Sequence, residues 1–306
     1  MPSLLRLPQE LRDLIIEFVV TSRGTAPTKI DTLRPTEEHD DLNYVSRISG
    51  RGVFYSTQRH RTSPVALLLV NHQIHDETKG TLKRLSSSNG NKYTLDVILL
   101  NEALLFPSWT SVPPLHQNVD TLSVTFRIFG FGGSAFNDFM DLDGSTGPAV
   151  WRFYSLLERF LRCGATRSRS PNEDREFHLQ ILDLNVEMPA DIDKSRIAPA
   201  DLTPDNLPKY RRDHSPHDMV MHPATLAKFI YIWVQGILML SDPIYASPGT
   251  PIPKYAKLFF DRVGKIRISV DGKRKFEIDV KGMVRRIAER DAGLSGTPPI
   301  EVDDAA

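Results

Sequence analysis

A single cysteine, Cys163, stands among 306 residues. No disulfide can close within the chain, and a cysteine-rich zinc cluster is excluded. One thiol fits a reducing compartment, so a cytoplasmic or nuclear location is expected. Cys163 closes a predicted helix and reads as a small buried apolar residue rather than a nucleophile. An excess of one charge is also missing. Lys plus Arg and Asp plus Glu both number 38, for a formal net charge of zero. That balance gives no overall pull toward nucleic acid or an anionic membrane. The basic clusters Arg167–Arg169 and Lys273–Lys275 lack the interleaved aromatics of a nucleic-acid face. No nucleic-acid partner and no membrane partner is therefore expected. Long apolar runs are absent too. The apolar start is interrupted by Arg6, Glu10, Arg12, Asp13 and Glu17, unlike a secretory signal. The most apolar later stretch, residues 229–240, is too short to span a bilayer and reads as a buried core helix.

The familiar catalytic signatures are lacking as well. No Gly-x-x-x-x-Gly-Lys phosphate loop, no Gly-x-Ser-x-Gly elbow and no His-Glu-x-x-His zinc helix occurs. Gly130-Phe-Gly-Gly-Ser-Ala135 follows a strand and has dinucleotide-loop spacing, but no helix opens at once to face a pyrophosphate, so a surface loop is expected. Asp141-Leu-Asp-Gly-Ser145 starts like a calcium loop, yet its glycine is misplaced and Arg152 stands where a bidentate glutamate belongs. His72 and His75 are spaced i, i+3. His214, His217 and His222 lie in a Pro-rich stretch that fixes no tetrahedron. Both sets read as polar surface histidines. The expectation is a chain with no metal, no cofactor and no catalytic residues, hence not an enzyme.

What is present reads as an ordinary globular composition, 40% hydrophobic and 25% charged. After the polar break at residues 86–91, strand and helix patterns alternate. Strands are expected at 93–100, 120–129 and 177–186, with helices at 151–162, capped by Gly164, and at 224–240. Strands at 265–270 and 275–280 flank Asp271-Gly272, a type I′ hairpin signal, and a short helix follows at 281–291. Strand–helix–strand order favours parallel pairing, with the hairpin adding an antiparallel edge. No period of about 20–30 residues marks a regular solenoid. The fold class is α+β or mixed α/β: an N-terminal helical segment, then a mixed sheet flanked by helices. The expected organisation is residues 1–86 as the helical segment with an irregular insertion at 22–63, residues 87–291 as the α/β domain, and 292–306 as a mobile tail.

The helical segment carries the most specific pattern. Pro8 suits a first helical position, and Glu10 meets the positive end of the dipole. Leu11, Leu14, Ile15, Phe18 and Val19 form one apolar stripe, with Arg12, Asp13 and Glu17 off it, and Gly24 is available as a left-handed cap. A second helix is expected from residue 65 to somewhere between Lys79 and Leu85, with Leu67, Val70, Ile74, Leu82 and Leu85 in helical period. Apolar faces on both predict that the two helices pack together.

Leu7-Pro-x-Glu10, an apolar helix, and Val70-Asn-x-x-Ile74 on a second helix resemble an F-box, in the form found in a large group of fungal proteins. The start Pro8-x-Glu-Leu-Arg12 also resembles fungal Glu-x-Arg families of unknown function, although their second Glu-x-Arg is absent. The chain departs from the F-box pattern in two ways. Ile74 replaces the tryptophan, and a loop of about 40 residues separates the halves where a short connection is usual. The resemblance covers less than a third of the chain. It implies a non-enzymatic adaptor in which Leu7, Pro8, Leu11, Ile15, Val70 and Ile74 form or support a surface for the Skp-type linker of a cullin ubiquitin ligase. The α/β domain would recruit a protein target. Two alternatives stand beside it: a single compact α/β domain with no ligase link, and an enzyme using the 130–144 loop or the 214–222 loop.

Overall fold

The computed structural model describes residues 4–27, 36–38, 52–56, 65–88, 91–113, 117–130, 148–165, 176–188, 192–202, 210, 219–240 and 252–295. The helices are α1 (Gln9–Thr21), α2 (Val65–Leu68), α3 (His72–Ser88), α4 (Pro148–Cys163), α5 (Pro223–Leu240), α6 (Ile252–Arg262) and α7 (Val280–Ser295). A ribbon of β1 (Thr36–Glu38) and β2 (Phe54–Ser56) lies in the expected insertion. The main sheet holds β3 (Lys92–Leu100), β4 (Leu104–Ser111), β5 (Asn118–Phe129), β6 (His178–Glu187), β7 (Val263–Val270) and β8 (Lys273–Asp279).

The class is α+β, as the alternating pattern implies. Strand order is β4-β3-β5-β6-β7-β8. The middle four strands run parallel, and β4 and β8 add an antiparallel edge on each side. Period-two alternation decides which face is buried. On β5, Leu122, Val124, Phe126 and Ile128 are buried, and they stand level with Leu182, Leu184 and Val186 of β6 and with Ile266, Ile268 and Val270 of β7. Helix α4 lays Phe153 on Phe126 and Phe160 on Tyr93 and Trp109, while Tyr231 of α5 stacks on Phe276 of β8. Tyr154 of α4 meets Trp233 of α5 and Phe259 of α6. The flanking helices therefore share one face of the sheet. The other face carries Ser123, Thr125 and Arg127, Asp183 and Asn185, and Lys265 and Arg267, all half-exposed.

The hairpin signal is realised. Asp271 and Gly272 have φ of 48° and 72°, the left-handed pair that a type I′ turn requires. Gly164, with φ of 70°, ends α4 and donates its N–H to the Phe160 carbonyl. The apolar stretch at 229–240 belongs to α5, a core helix that buries Phe229, Ile230, Trp233, Val234, Ile237 and Leu238. Strand β4 and helix α6 lack comparable signals. Pro107 lies inside β4 opposite Val97, which the edge position tolerates, because an edge strand has one side without ladder bonds.

Candidate functional site: an exposed apolar helix face

Helix α1 starts one residue later than its proline suggests. Pro8 sits just outside it with φ −51° and ψ 149°, and the helix ends at Thr21 with Ser22 extended. Gly24 is not a left-handed cap. Its N–H instead donates to the Thr110 carbonyl of β4 at 2.7 Å, tying the exit of α1 to the sheet edge.

The second helix is not continuous. It breaks after Leu68, and Asn71 starts a new helix by accepting the Ile74 N–H on Oδ1 at 2.9 Å. Asparagine is a strong N-cap, so that signal was present in the sequence. Gly80 does not end the helix, which runs on to Ser88.

Helices α1 and α3 pack together, but not through the stripe that periodicity picks out. Helix α1 turns Arg12, Ile16 and Val20 inward, at i, i+4 and i+8. Ile16, Val20 and Leu85 form a small core with Leu67 and Leu82, apart from the large core of the sheet. Arg12 lies off the apolar stripe yet is buried. Its Nε donates to Glu77 Oε1 and Oε2 at 3.2 and 3.0 Å, and its Nη1 donates to the Leu7 carbonyl. The pair bridges the two helices, and Gln73 adds a bond to Glu77 Oε1 at 3.1 Å. A two-pronged contact of this kind fixes orientation as well as distance.

The apolar stripe faces outward instead. Leu11, Leu14, Ile15, Phe18 and Val19 are 47%, 62%, 40%, 76% and 40% exposed. At the α2–α3 break, Leu69 and Val70 are 79% and 62% exposed. Of the residues expected at a partner surface, Pro8, Leu11, Ile15 and Val70 are at the surface and Leu7 is half-buried. Ile74 is 1% exposed and supports the helix pair from within. Leu14, Phe18, Val19 and Leu69 belong to the exposed apolar set as well. The stripe pattern already contained the first three. Five large apolar side chains of one 13-residue helix thus lie in water as one stripe, the kind of patch that marks a candidate interaction site.

The other candidates fall differently. His72 is exposed, while His75 Nδ1 lies 2.8 Å from the Leu68 carbonyl, closing the α2–α3 break. His222 is half-buried rather than on the surface. His214, His217, Asp141 and residues 131–144 lie outside the described residues. No group of three or more metal-capable side chains occurs among the described residues. None of the described helices is long and apolar enough to cross a membrane. Cys163 is half-buried at the end of α4. Among the described residues, the parallel strands follow β3-β5-β6-β7 without the reversal of order that makes a switch-point crevice in doubly wound folds.

The bond to Arg12 holds the Glu77 carboxyl below its ordinary value of 4.5, against the opposing effect of its burial. The sign follows from linkage. A carboxyl depressed in the folded state contributes stability that is fully present above pH 4.5 and is lost as pH falls through the lower folded value. Chemical denaturation of the wild type is therefore expected to show an acid-dependent loss that Glu77→Gln lacks. Identical pH profiles for the two proteins would refute the role of this bond.

No family model matches the chain, and neither a curated protein nor a solved structure matches it.

Proposed function

We propose that the protein is a non-enzymatic adaptor whose N-terminal helices dock on a Skp-type linker of a cullin ubiquitin ligase. The sheet domain then recruits a protein target, in the cytoplasm or nucleus. One observation carries this reading: the apolar stripe of α1 is turned to solvent while an ion pair and a separate small core hold the helix from behind. A helix that served only as part of a core would bury that stripe. A helix that docks must keep it free, because helix-in-groove recognition uses anchors at i, i+3, i+4 and i+7. Leu11, Leu14, Ile15 and Phe18 have that spacing. The resemblance of Leu7-Pro-x-Glu10 and Val70-Asn-x-x-Ile74 to an F-box names the partner class.

Purified protein and a purified Skp-type linker test the reading by calorimetry. The wild type is expected to bind. Leu11→Ala with Phe18→Ala is expected to weaken binding at least about thirtyfold, the effect of losing one strong anchor of about 2 kcal/mol. Thermal unfolding should stay near that of the wild type, since both side chains are already in water. Absence of wild-type binding to any such linker would end the ligase reading and leave a compact α/β protein with another apolar-surface partner.

A further inference from the structure

We propose that His222 is a pH-sensitive cap on the core helix α5, and that its protonation releases the first turn of that helix. His222 immediately precedes Pro223, the first residue of α5. Its Nδ1 accepts the Ala224 N–H at 3.0 Å, and its carbonyl accepts the N–H groups of Thr225 and Leu226. An imidazole that accepts at Nδ1 must be neutral and carry its proton on Nε2. Protonation converts that acceptor into a donor aimed at another donor. It also places a positive charge at the positive end of an 18-residue helix dipole.

The surroundings act in two directions. Burial lowers the His222 value from 6.5, and the Asp271 carboxylate of the β7–β8 turn opposes that shift. Asp271 is itself engaged, since its Oδ1 accepts the Met188 N–H. Next in the chain, Met221 donates its N–H to buried Glu102 of the β3–β4 turn at 2.7 Å. Val220 exchanges backbone bonds with Arg196 and Ala198, and the Thr225 hydroxyl donates to the Pro199 carbonyl. The cap thus closes a corner in which residues 196–199, 219–225 and the β3–β4 turn meet at one end of the sheet.

Histidine is the side chain whose charge changes between about pH 5 and 8. A histidine depressed in the folded state contributes stability that is fully present above pH 6.5 and is lost as pH falls through its lower folded value. The corner is therefore closed at neutral pH and loosened in mild acid.

Nitrogen NMR and amide exchange on the full chain provide the test. At neutral pH the His222 ring is expected as the Nε2–H tautomer. On acidification to about pH 5.5, protection factors at Ala224, Thr225 and Leu226 should drop about fivefold or more, the loss expected when one cap is removed. His222→Asn keeps a capping acceptor without a titratable charge and should show flat protection over the same range. His222→Ala should be poorly protected at both ends. An Nδ1–H tautomer at neutral pH would overturn the proposal, as would an equal acid-induced loss in His222→Asn.

Discussion

Replacing Ile16 by alanine is expected to cost about 2–5 kcal/mol of stability, whereas the same change at its neighbour Ile15 should stay within about 0.5 kcal/mol. The two residues have the same side chain on the same helix, and only their faces differ. Ile16 is 1% exposed and packs with Val20 and Leu85, while Ile15 is 40% exposed. The α1–α3 core is small, so a methyl-sized void has few neighbours that can collapse into it without moving α1. The binding consequences are reversed in mechanism. Ile15→Ala should weaken docking on a linker directly, with an unchanged melting curve. Ile16→Ala should weaken it only by unfolding the helix pair, so raising the stability with an osmolyte should restore binding. The sheet keeps its own core and should hold its near-ultraviolet signal in both variants. Equal destabilisation by the two substitutions would show that the stripe is buried in solution, and the docking surface would not exist.

The contrast between Ile15 and Ile16 also marks where sequence reading stops. Strands β5 and β6 are legible because their side chains alternate in burial, β3 because it is a short apolar run buried on both faces, and the β7–β8 hairpin because a turn such as Asp271-Gly272 has few backbone solutions. Parallel order from β5 to β7 follows from the helices between those strands, whereas β3 and β5 run parallel because β4 carries the chain back between them. Strand β4 escaped because Pro107 breaks its pattern, and nothing local reveals that β4 is an edge. The face that helix α1 buries was the hardest part. Periodicity locates an apolar stripe but not what covers it. Here an arginine paired with a glutamate 65 residues away holds the inner face, and no local rule couples Arg12 to Glu77. The apolar stripe was then free to stay in water. The same difficulty hid His222. A histidine in a polar, Pro-rich stretch reads as surface until the helix after Pro223 is seen to need a cap.

The largest effect in the sheet domain is expected at Phe160. Helix α4 sits over the buried face, and Phe160 is where it grips two strands together. Its ring lies 5.3 Å from Tyr93 of β3, 5.3 Å from Trp109 of β4 and 5.7 Å from Phe177 at the entry to β6. With 2% exposure the ring is essentially fully buried. Phe160→Ala is expected to cost about 3–5 kcal/mol, from lost burial and an aromatic-sized void, and three aromatic contacts of about 0.5–1.5 kcal/mol each place it toward the upper end. Urea unfolding followed by tryptophan fluorescence measures this directly. A second readout comes from Tyr93, whose phenol burial pushes its ionisation up from 10 to about 12. A phenol raised in the folded state contributes stability that is present below pH 10 and is lost as pH rises through about 12. Opening a void beside Tyr93 admits water to the phenolate, so Phe160→Ala should move its ultraviolet titration back toward 10. A cost below about 1.5 kcal/mol, the range of a well-tolerated volume-conserving swap, with Tyr93 still titrating near its wild-type position, would show that α4 is held from elsewhere on the sheet.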